Sequence, residues 1–402
     1  MNATNLYVGI DVSKRKHDVA IMDDRQHILT PGFVITESAA GFHQLIDRLQ
    51  QVKQRCGASR IYVGMEATGD YWKNLYTFVQ RRTNWSVTVV NPQQTHHFAI
   101  SQLRRAKTDP VDAMDIARFM NERKPKPTPP EQFGWQLIRD MDKQLLSLIK
   151  QRNAAIFRLR LELGKTFPEL EQRTASFTAQ RMLTLLTHYP TAELIRHTSL
   201  QTLAELRSLN TNRRLSSAFL ETVKQLAADS IASKTGPFAG IVVQNLAQQL
   251  IMLEQFIEQL KKQLVQVFEQ HTGRGSVLAT IPGIAPLSAV TLEAYIGNVK
   301  RFPGHKQIVA YFGMNPTVRL SGTSLKGRSR LQKKGNPRVR NILFMSVLAM
   351  IRFHVDPIYS FYQKKVDEGK SKLVAIGAAM RKLLVISYAM LNSNSEFSQT
   401  KK

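Results

Sequence analysis

The sequence predicts a mixed α/β domain, then a helical coiled-coil middle, then a mainly helical C-terminal domain. Three observations carry this. Strand-like apolar runs fill the first quarter of the chain, near-heptad apolar spacing covers the centre, and a Pro-Gly turn between apolar segments opens a last, strongly basic region.

The runs LYVGIDVS and HDVAIMD cluster apolar and β-branched residues as paired strands do, and ILTPGFVIT supplies a third strand. A helical stretch from Gly41 to Lys53 follows. Two more apolar runs, RIYVGME and WSVTVVNP, flank a helical segment from Tyr71 to Arg81. This β-rich, then βαβ order implies a mixed sheet flanked by helices over residues 1–123. Prolines concentrate in KPKPTPPEQFG and favour extended backbone, which marks residues 124–134 as a linker. From 135 to 270, two sets of apolar residues keep near-heptad spacing. The first is Ile138, Met141, Leu145, Ile149, Ile156, Leu159 and Leu163; the second is Leu246, Leu250, Leu253, Ile257, Leu260, Leu264 and Val267. Two long helices are expected, packed either as an antiparallel coiled-coil stalk or as ordinary bundle helices, with smaller helices from about Phe167 to Pro237. Residues 271–392 form the third domain, and its VLATIPGIAPLSAVTLEAYIG start reads as a helix-hairpin-helix-like pair. The polar tail, 393–402, is expected to be disordered.

Lys and Arg number 56 against 30 Asp and Glu, a formal charge of +26 with a pI near 10.3, so the natural partner is a polyanion: nucleic acid or an anionic membrane surface. The most apolar segments, near Ile342–Ile351 and Leu373–Leu391, are too short or carry Arg381 and Lys382, so no membrane span is expected. The start does not read as a signal peptide. The single cysteine, Cys56, excludes an intrachain disulfide framework and a thiol zinc site, which suits a reducing cytoplasm.

Four carboxylates stand out. Asp11 ends the first predicted strand, and Glu66 holds the equivalent place after IYVGM. Asp109 and Asp112, in KTDPVDAMDIARF, sit three apart on one helix face behind Pro110. Four acids drawn together repel one another unless cations compensate, and oxygen-only ligands suit Mg²⁺ or Mn²⁺. Two such ions support phosphoryl transfer. The plainer reading is that each acid caps a turn, and Asp18, Asp70 and Asp115 are neighbours that can substitute. Tyr71 and Trp72, beside Glu66, suit either a base stack or the core.

From Ala294 to Val355 there is no acid but there are twelve bases, an electrostatic footprint for phosphates. Within it, LSGTSLKGRSRLQKKGNPRVRNIL sets Ser321, Ser324 and Ser329 among glycines and bases. A serine hydroxyl needs a base or metal to become nucleophilic, while arginines stabilise an attacked phosphate. Without a covalent role, the block is a phosphate-binding loop.

The motifs GIDVSK, GMEATGDYW and TDPVDA, with VVNPQQ between them, resemble the RuvC-like domain, of ribonuclease H type, in the IS110 family of transposases and Piv-type DNA invertases. IPGIAPLSA, FGMNPTVRLSG and KKGNPRVRNIL resemble that family's C-terminal transposase domain. The resemblance implies that Asp11, Glu66, Asp109 and Asp112 bind the metal and that Ser321, followed by Gly322, is the nucleophile. It implies nucleic-acid contacts at Lys107, Arg319, Gly322, Lys326, Arg328, Arg330, Lys333, Lys334, Arg338 and Arg340. Gln332 stands where the family pattern has a serine. The implied partners are the element's DNA ends and target, a structured noncoding guide RNA used by some members, and further copies of the chain, as a dimer or a synaptic tetramer on the prokaryotic nucleoid. Competing readings are a metal-dependent nuclease with no covalent serine step, an actin-like kinase suggested by GIDVS, and a noncatalytic nucleic-acid-binding protein.

Overall fold

The computed structural model describes residues 4–67, 69–101, 109–129, 133–208, 212–236, 238–317, 330–331 and 335–398. The chain divides into two compact units, Met1–Glu131 and Gln132–Lys402.

In the first unit, β1 (Asn5–Val12), β2 (Lys16–Met22) and β3 (Ile28–Thr36) form an antiparallel meander. Helix α1 (Ala39–Arg55) leads to β4 (Arg60–Glu66), α2 (Trp72–Arg82) and β5 (Ser86–Val90), and α3 (Pro92–Ser101) and α4 (Asp109–Arg123) follow. The sheet order is β3-β2-β1-β4-β5, with β4 and β5 parallel to β1. Pro31 is tolerated because β3 is an edge strand, where one row of backbone groups needs no sheet partner.

Side-chain alternation gives the sheet two apolar faces. Leu6, Val8, Ile10, Val63 and Met65 pack with Phe42, Leu45 and Leu49 of α1 and with Leu75 and Val79 of α2. Tyr7, Met22 and Val90 face Ala117, Phe119 and Met120 of α4. Ser38 caps α1 by accepting from the Gly41 N–H, and Lys53 and Arg55 occupy its last turn, where cations suit the helix dipole.

The boundary between the two units falls inside the proline-rich 124–134 segment, and the first part of that segment is tied to the sheet. Thr128 donates its N–H to the Val87 carbonyl at 2.9 Å, its hydroxyl accepts from the Val89 N–H at 2.8 Å, and its carbonyl accepts the Tyr76 hydroxyl at 2.7 Å. The proline-rich run thus satisfies the outer edge of β5, a use of extended backbone that composition alone does not distinguish from a spacer.

The second unit is helical. Its spine is α5 (Phe133–Thr166), which packs against α11 (Ile241–Thr272). The pair is antiparallel, since Trp135 touches Phe268 and His271 while Arg152 reaches Glu254 at 3.6 Å. Between them in sequence lie α6 (Pro168–Arg173), α7 (Gln180–His188), α8 (Ala192–His197), α9 (Leu200–Ala204) and α10 (Ser217–Ala228). These bury Leu183, Leu186, Ile195 and Leu220 against Leu159, Leu163 and Leu250 of the spine. At the other end, Ile138, Leu264 and Phe268 meet Val290 and Ala294 of α12 (Pro286–Ile296).

The last core joins α12 to α13 (His305–Tyr311), α14 (Pro337–Arg352), α15 (Ile358–Asp367) and α16 (Lys372–Ser393). Two short strands, β6 (Pro316–Thr317) and β7 (Arg330–Leu331), pair antiparallel between α13 and α14. Helix α16 is long and apolar enough to cross a membrane, by length and composition. In this fold Ala375, Ala379, Leu383 and Leu384 are fully buried in the C-terminal core. Packing therefore accounts for its apolarity.

Candidate active site at the carboxyl end of the sheet

The two strands that carry the first acids are near copies of each other. Leu6-Tyr-Val-Gly-Ile-Asp11 and Ile61-Tyr-Val-Gly-Met-Glu66 lie side by side in exact register, from Leu6 opposite Ile61 to Ile10 opposite Met65. Alternation puts Tyr7, Gly9 and Asp11 on one face of β1, and Tyr62, Gly64 and Glu66 on the same face of β4. The two tyrosine rings stack at 5.2 Å. Continuing the register makes Asp11 and Glu66 neighbours on adjacent strands, which lie about 4.8 Å apart in any sheet. Both are half-buried.

The glycines let α4 lie on that face. A β-carbon on Gly9 would stand 2.0 Å from the Ala113 carbonyl oxygen and 2.4 Å from the Ala117 nitrogen, and one on Gly64 would meet the Met120 side chain at 2.4 Å. At the far end of α4, the Asn121 amide donates to the carbonyls of Asp23 and Asp24, just beyond Met22, which pairs with Tyr7. Helix α4 therefore runs antiparallel to β1. Its first residue, Asp109, and the half-buried Asp112 fall at the carboxyl ends of β1 and β4, the edge that holds Asp11 and Glu66.

That helix start also brings its positive dipole end to the acids. The Asp109 side chain and Lys107 lie outside the described residues. Among the described residues, no group of three His, Cys, Asp or Glu side chains is gathered closely enough to hold a metal ion. Asp11, Glu66 and Asp112 therefore share an edge without closing a three-donor site by themselves. Their chemistry, oxygen donors only, fits a hard divalent cation such as Mg²⁺ or Mn²⁺.

Two further groups stand at this edge: Thr95, which the sequence does not single out, and Asp18, one of the acids that can substitute in the set. The buried Thr95, on α3, donates its hydroxyl to Glu66 Oε2 at 2.9 Å and lies 3.0 Å from the Pro92 carbonyl. Asp18 pairs in register with Asp11 across the first hairpin, on the face that carries Asp11. The VVNP motif gives a partial signal for Thr95: Asn91 turns the chain after β5, accepting from the Gln93 N–H, and so sets the helix on which Thr95 stands. By contrast, Asp115 is buried and pairs with Arg118 at 3.5 Å. Tyr71 is largely exposed, while Trp72 packs edge-on to Tyr76 beside the α1–α2 core.

In the basic block, Ser321, Gly322, Arg319, Lys326, Arg328, Lys333 and Lys334, together with the Arg330 side chain, lie outside the described residues. Their flanks are fixed. Pro316 opposite Leu331 and Thr317 opposite Arg330 close the stem of this segment. Gly335 is pressed so tightly on Phe312 that a β-carbon would sit 2.2 Å from its carbonyl carbon.

Arg338 was expected on phosphate, but it is committed elsewhere. Its Nε and Nη2 donate to the carboxylate of Asp142, the closest at 2.7 Å, and Asp142 is fully buried. The Tyr295 hydroxyl donates to the same carboxylate at 3.2 Å, and burial, then Asp142, pushes its pKa up to about 12. Arg340 spends one donor on the Gly335 carbonyl at 2.6 Å. Asp142 was legible in principle, as an acid on the Ile138–Leu145 apolar stripe.

A carboxylate-edged α/β unit joined to a basic helical unit defines a class: enzymes that act on nucleic-acid phosphodiesters. Comparison with known families narrows it. Residues 8–168 match a family model described as a transposase, and residues 275–363 match one described as the transposase IS116/IS110/IS902 family. Together the two models cover more than half of the chain. The pilin gene-inverting protein of Moraxella bovis is 27% identical over 98% of both chains. An insertion element IS116 protein of Streptomyces clavuligerus is 23% identical over 98% of this chain and 96% of its own. The mini-circle putative transposase for IS117 of Streptomyces coelicolor is 26% identical over 87% and 85%. Among solved structures, an Aquifex aeolicus Ppx/GppA-family protein aligns at 10% identity over 64% of this chain and 99% of that chain, with a TM-score of 0.19, too low to bear on the fold. The chain belongs to the IS110/IS116 family of insertion-sequence transposases and is a DNA transposase or recombinase.

Proposed function

We propose that the chain cuts and rejoins DNA strands at a composite site. In this reading Asp11, Glu66, Asp109 and Asp112 of a ribonuclease-H-type, RuvC-like domain hold divalent metal, and Ser321 is the nucleophile. The observation that supports it most is the in-register pairing of Leu6–Ile10 with Ile61–Met65, the residues that lead into Asp11 and Glu66, beneath α4. The register of β1 and β4 and the close approach of α4 at Gly9 and Gly64 support a common edge for Asp11, Glu66 and Asp112.

Bound divalent ions would supply activation of the attacking oxygen and stabilisation of the departing one. The chain's residues do the rest. Ser321 Oγ attacks a strand phosphorus, its proton passes to a base, and the bond from phosphorus to the departing strand oxygen breaks as that oxygen takes up a proton. Attack by a second strand's hydroxyl on the phosphoserine reverses these changes and rejoins DNA. The neighbouring bases, Arg319, Lys326, Arg328, Arg330, Lys333 and Lys334, offset the phosphate charge, with Gly322 allowing close approach.

The acids and the serine come from different protomers of a dimer or synaptic tetramer, which the α5–α11 coiled-coil stalk helps assemble. A structured noncoding RNA guides target choice, and the +26 charge suits both nucleic acids.

The test incubates the protein, its Ser321→Ala form and its Asp11→Ala form with Mg²⁺, copurifying RNA and DNA carrying the element junction, followed by a denaturing gel. A covalent protein–DNA adduct seen only with the unaltered protein supports the composite mechanism. Cleavage without adduct, retained in Ser321→Ala, replaces it with a metal-dependent nuclease.

A further inference from the structure

The turn between β1 and β2 carries Lys14, Arg15 and Lys16, all exposed, and begins two residues beyond Asp11. Consecutive cations on a loop are usually a solvated surface. Here the turn is built rigidly. The Ser13 N–H donates to His17 Nδ1 at 3.3 Å, and the Ser13 hydroxyl donates to the Lys16 carbonyl. His17 is fully buried; with Nδ1 accepting, its Nε2–H donates to Glu37 Oε2 at 2.6 Å. Glu37 also donates its backbone N–H to the Arg15 carbonyl at 3.0 Å and accepts from the Asn74 amide at 2.8 Å. Three elements thus hold one turn in place, and the entropy of ordering its backbone is already lost on folding.

Two more observations give the turn a direction. Lys16 belongs to the same β2 face as Asp18, the face that carries Asp11 and Glu66. None of the three bases makes an ion pair among the described residues, whereas Lys73, Lys143, Lys165, Lys261 and Lys365 each pair with an acid three residues away. Lys14 is at most about 10 Å along the chain from Asp11. At a rise of about 3.4 Å per nucleotide in duplex DNA, that is about three phosphates.

We propose that Lys14, Arg15 and Lys16 form a phosphodiester-backbone subsite that holds the DNA strand flanking the carboxylate edge. An acidic edge repels DNA, and a preordered cationic turn beside it supplies the attraction that the acids cannot. The subsite reads no base. It fixes where the strand enters and leaves its rigid geometry to the His17–Glu37 pin.

This rests on the reading that the phosphodiester reacts at the carboxylate edge, so the experiment separates the two. Binding of a random-sequence 40-base-pair duplex (a length of about four helical turns) is followed by fluorescence anisotropy against salt, with and without magnesium. The proteins compared are the unaltered chain, Lys14→Ala/Arg15→Ala/Lys16→Ala, Asp11→Asn, and a control with the paired Lys143, Lys261 and Lys365 changed to Ala. Loss of three phosphate contacts lowers the magnitude of the log–log salt slope by about 2 to 3 in the turn variant and by less than half of that in the control. An unchanged slope overturns the subsite, as does a turn variant whose only defect is a lower melting temperature, which would mean the bases merely screen Asp11 and Asp18. Loss of the magnesium-dependent gain in Asp11→Asn, with an unchanged slope in the turn variant, keeps the edge and removes the subsite. A reduced slope in the turn variant with the magnesium gain intact in Asp11→Asn does the reverse.

Discussion

Gly9 and Ala113 meet backbone to backbone, so closely that any side chain at Gly9 would put its first carbon 2.0 Å from the Ala113 carbonyl oxygen. Backbone atoms of a helix cannot step aside without moving the helix. Gly9→Ala should therefore lift the start of α4 away from Asp11, with a cost of about 2–3 kcal/mol. Gly64→Ala meets side-chain rather than backbone atoms, Met120 Cγ at 2.4 Å and Ile116 Cγ2 at 3.1 Å, and should cost less, about 1–2 kcal/mol. Urea unfolding midpoints of the two variants check this. Equal shifts would show that α4 does not depend on close approach at β1.

The Arg338–Asp142 tie predicts a different pattern. Asp142 is fully buried and Arg338 mostly so, and removing one partner strands the other's charge. Asp142→Ala should cost about 3–5 kcal/mol, while Asp142→Leu combined with Arg338→Met should return to within about 1–2 kcal/mol of the unaltered protein. A double-mutant cycle by chemical denaturation measures the difference. Additive single and double effects would mean that the ion pair is not the connection between α5 and the start of α14.

Much of the sheet is legible in the sequence because its strands are short, β-branched and separated by turn residues. Asp11 and Glu66 stand out for the same reason, as acids ending apolar runs. Their adjacency is legible too, in the repeat of Tyr-Val-Gly before each, since equal motifs on parallel strands can align in equal register. The fate of Lys124–Pro129 is not legible, because hydrogen bonds from Thr128 to β5 depend on backbone groups that carry no sequence signature. Nor is Arg338. In a run of twelve bases, nothing local distinguishes the one that finds a buried acid nearly 200 residues earlier.

Glu293 gives the pH prediction. It is almost fully buried on α12, and burial raises its pKa above the usual carboxylate range even though Ser276 and Arg274 donate to it at 2.7 Å. A raised folded-state value means the folded protein holds this proton more tightly than the unfolded chain. The resulting stability is fully present below the unfolded carboxylate range and is lost as pH rises through the folded value. Glu293→Gln, which cannot ionise, should flatten the decline in melting temperature across that window. A decline that is equally steep in the variant would assign it to other groups.

Thr95 tests the carboxylate edge without touching an acid. Its hydroxyl has one proton and two acceptors, Glu66 Oε2 at 2.9 Å and the Pro92 carbonyl at 3.0 Å. A carboxylate is a stronger acceptor than a peptide carbonyl, so this hydrogen bond orients the Glu66 side chain. Thr95→Val keeps the shape and removes the donor. If Glu66 is a metal ligand, the magnesium concentration for half-maximal strand cleavage should rise about 10- to 100-fold, as when an outer hydrogen bond to a ligand is removed. The maximal rate should recover at saturating metal, and the melting temperature should change little. A lowered rate that excess magnesium does not restore would place Thr95 in the packing of α3 instead, and would detach Glu66 from the metal.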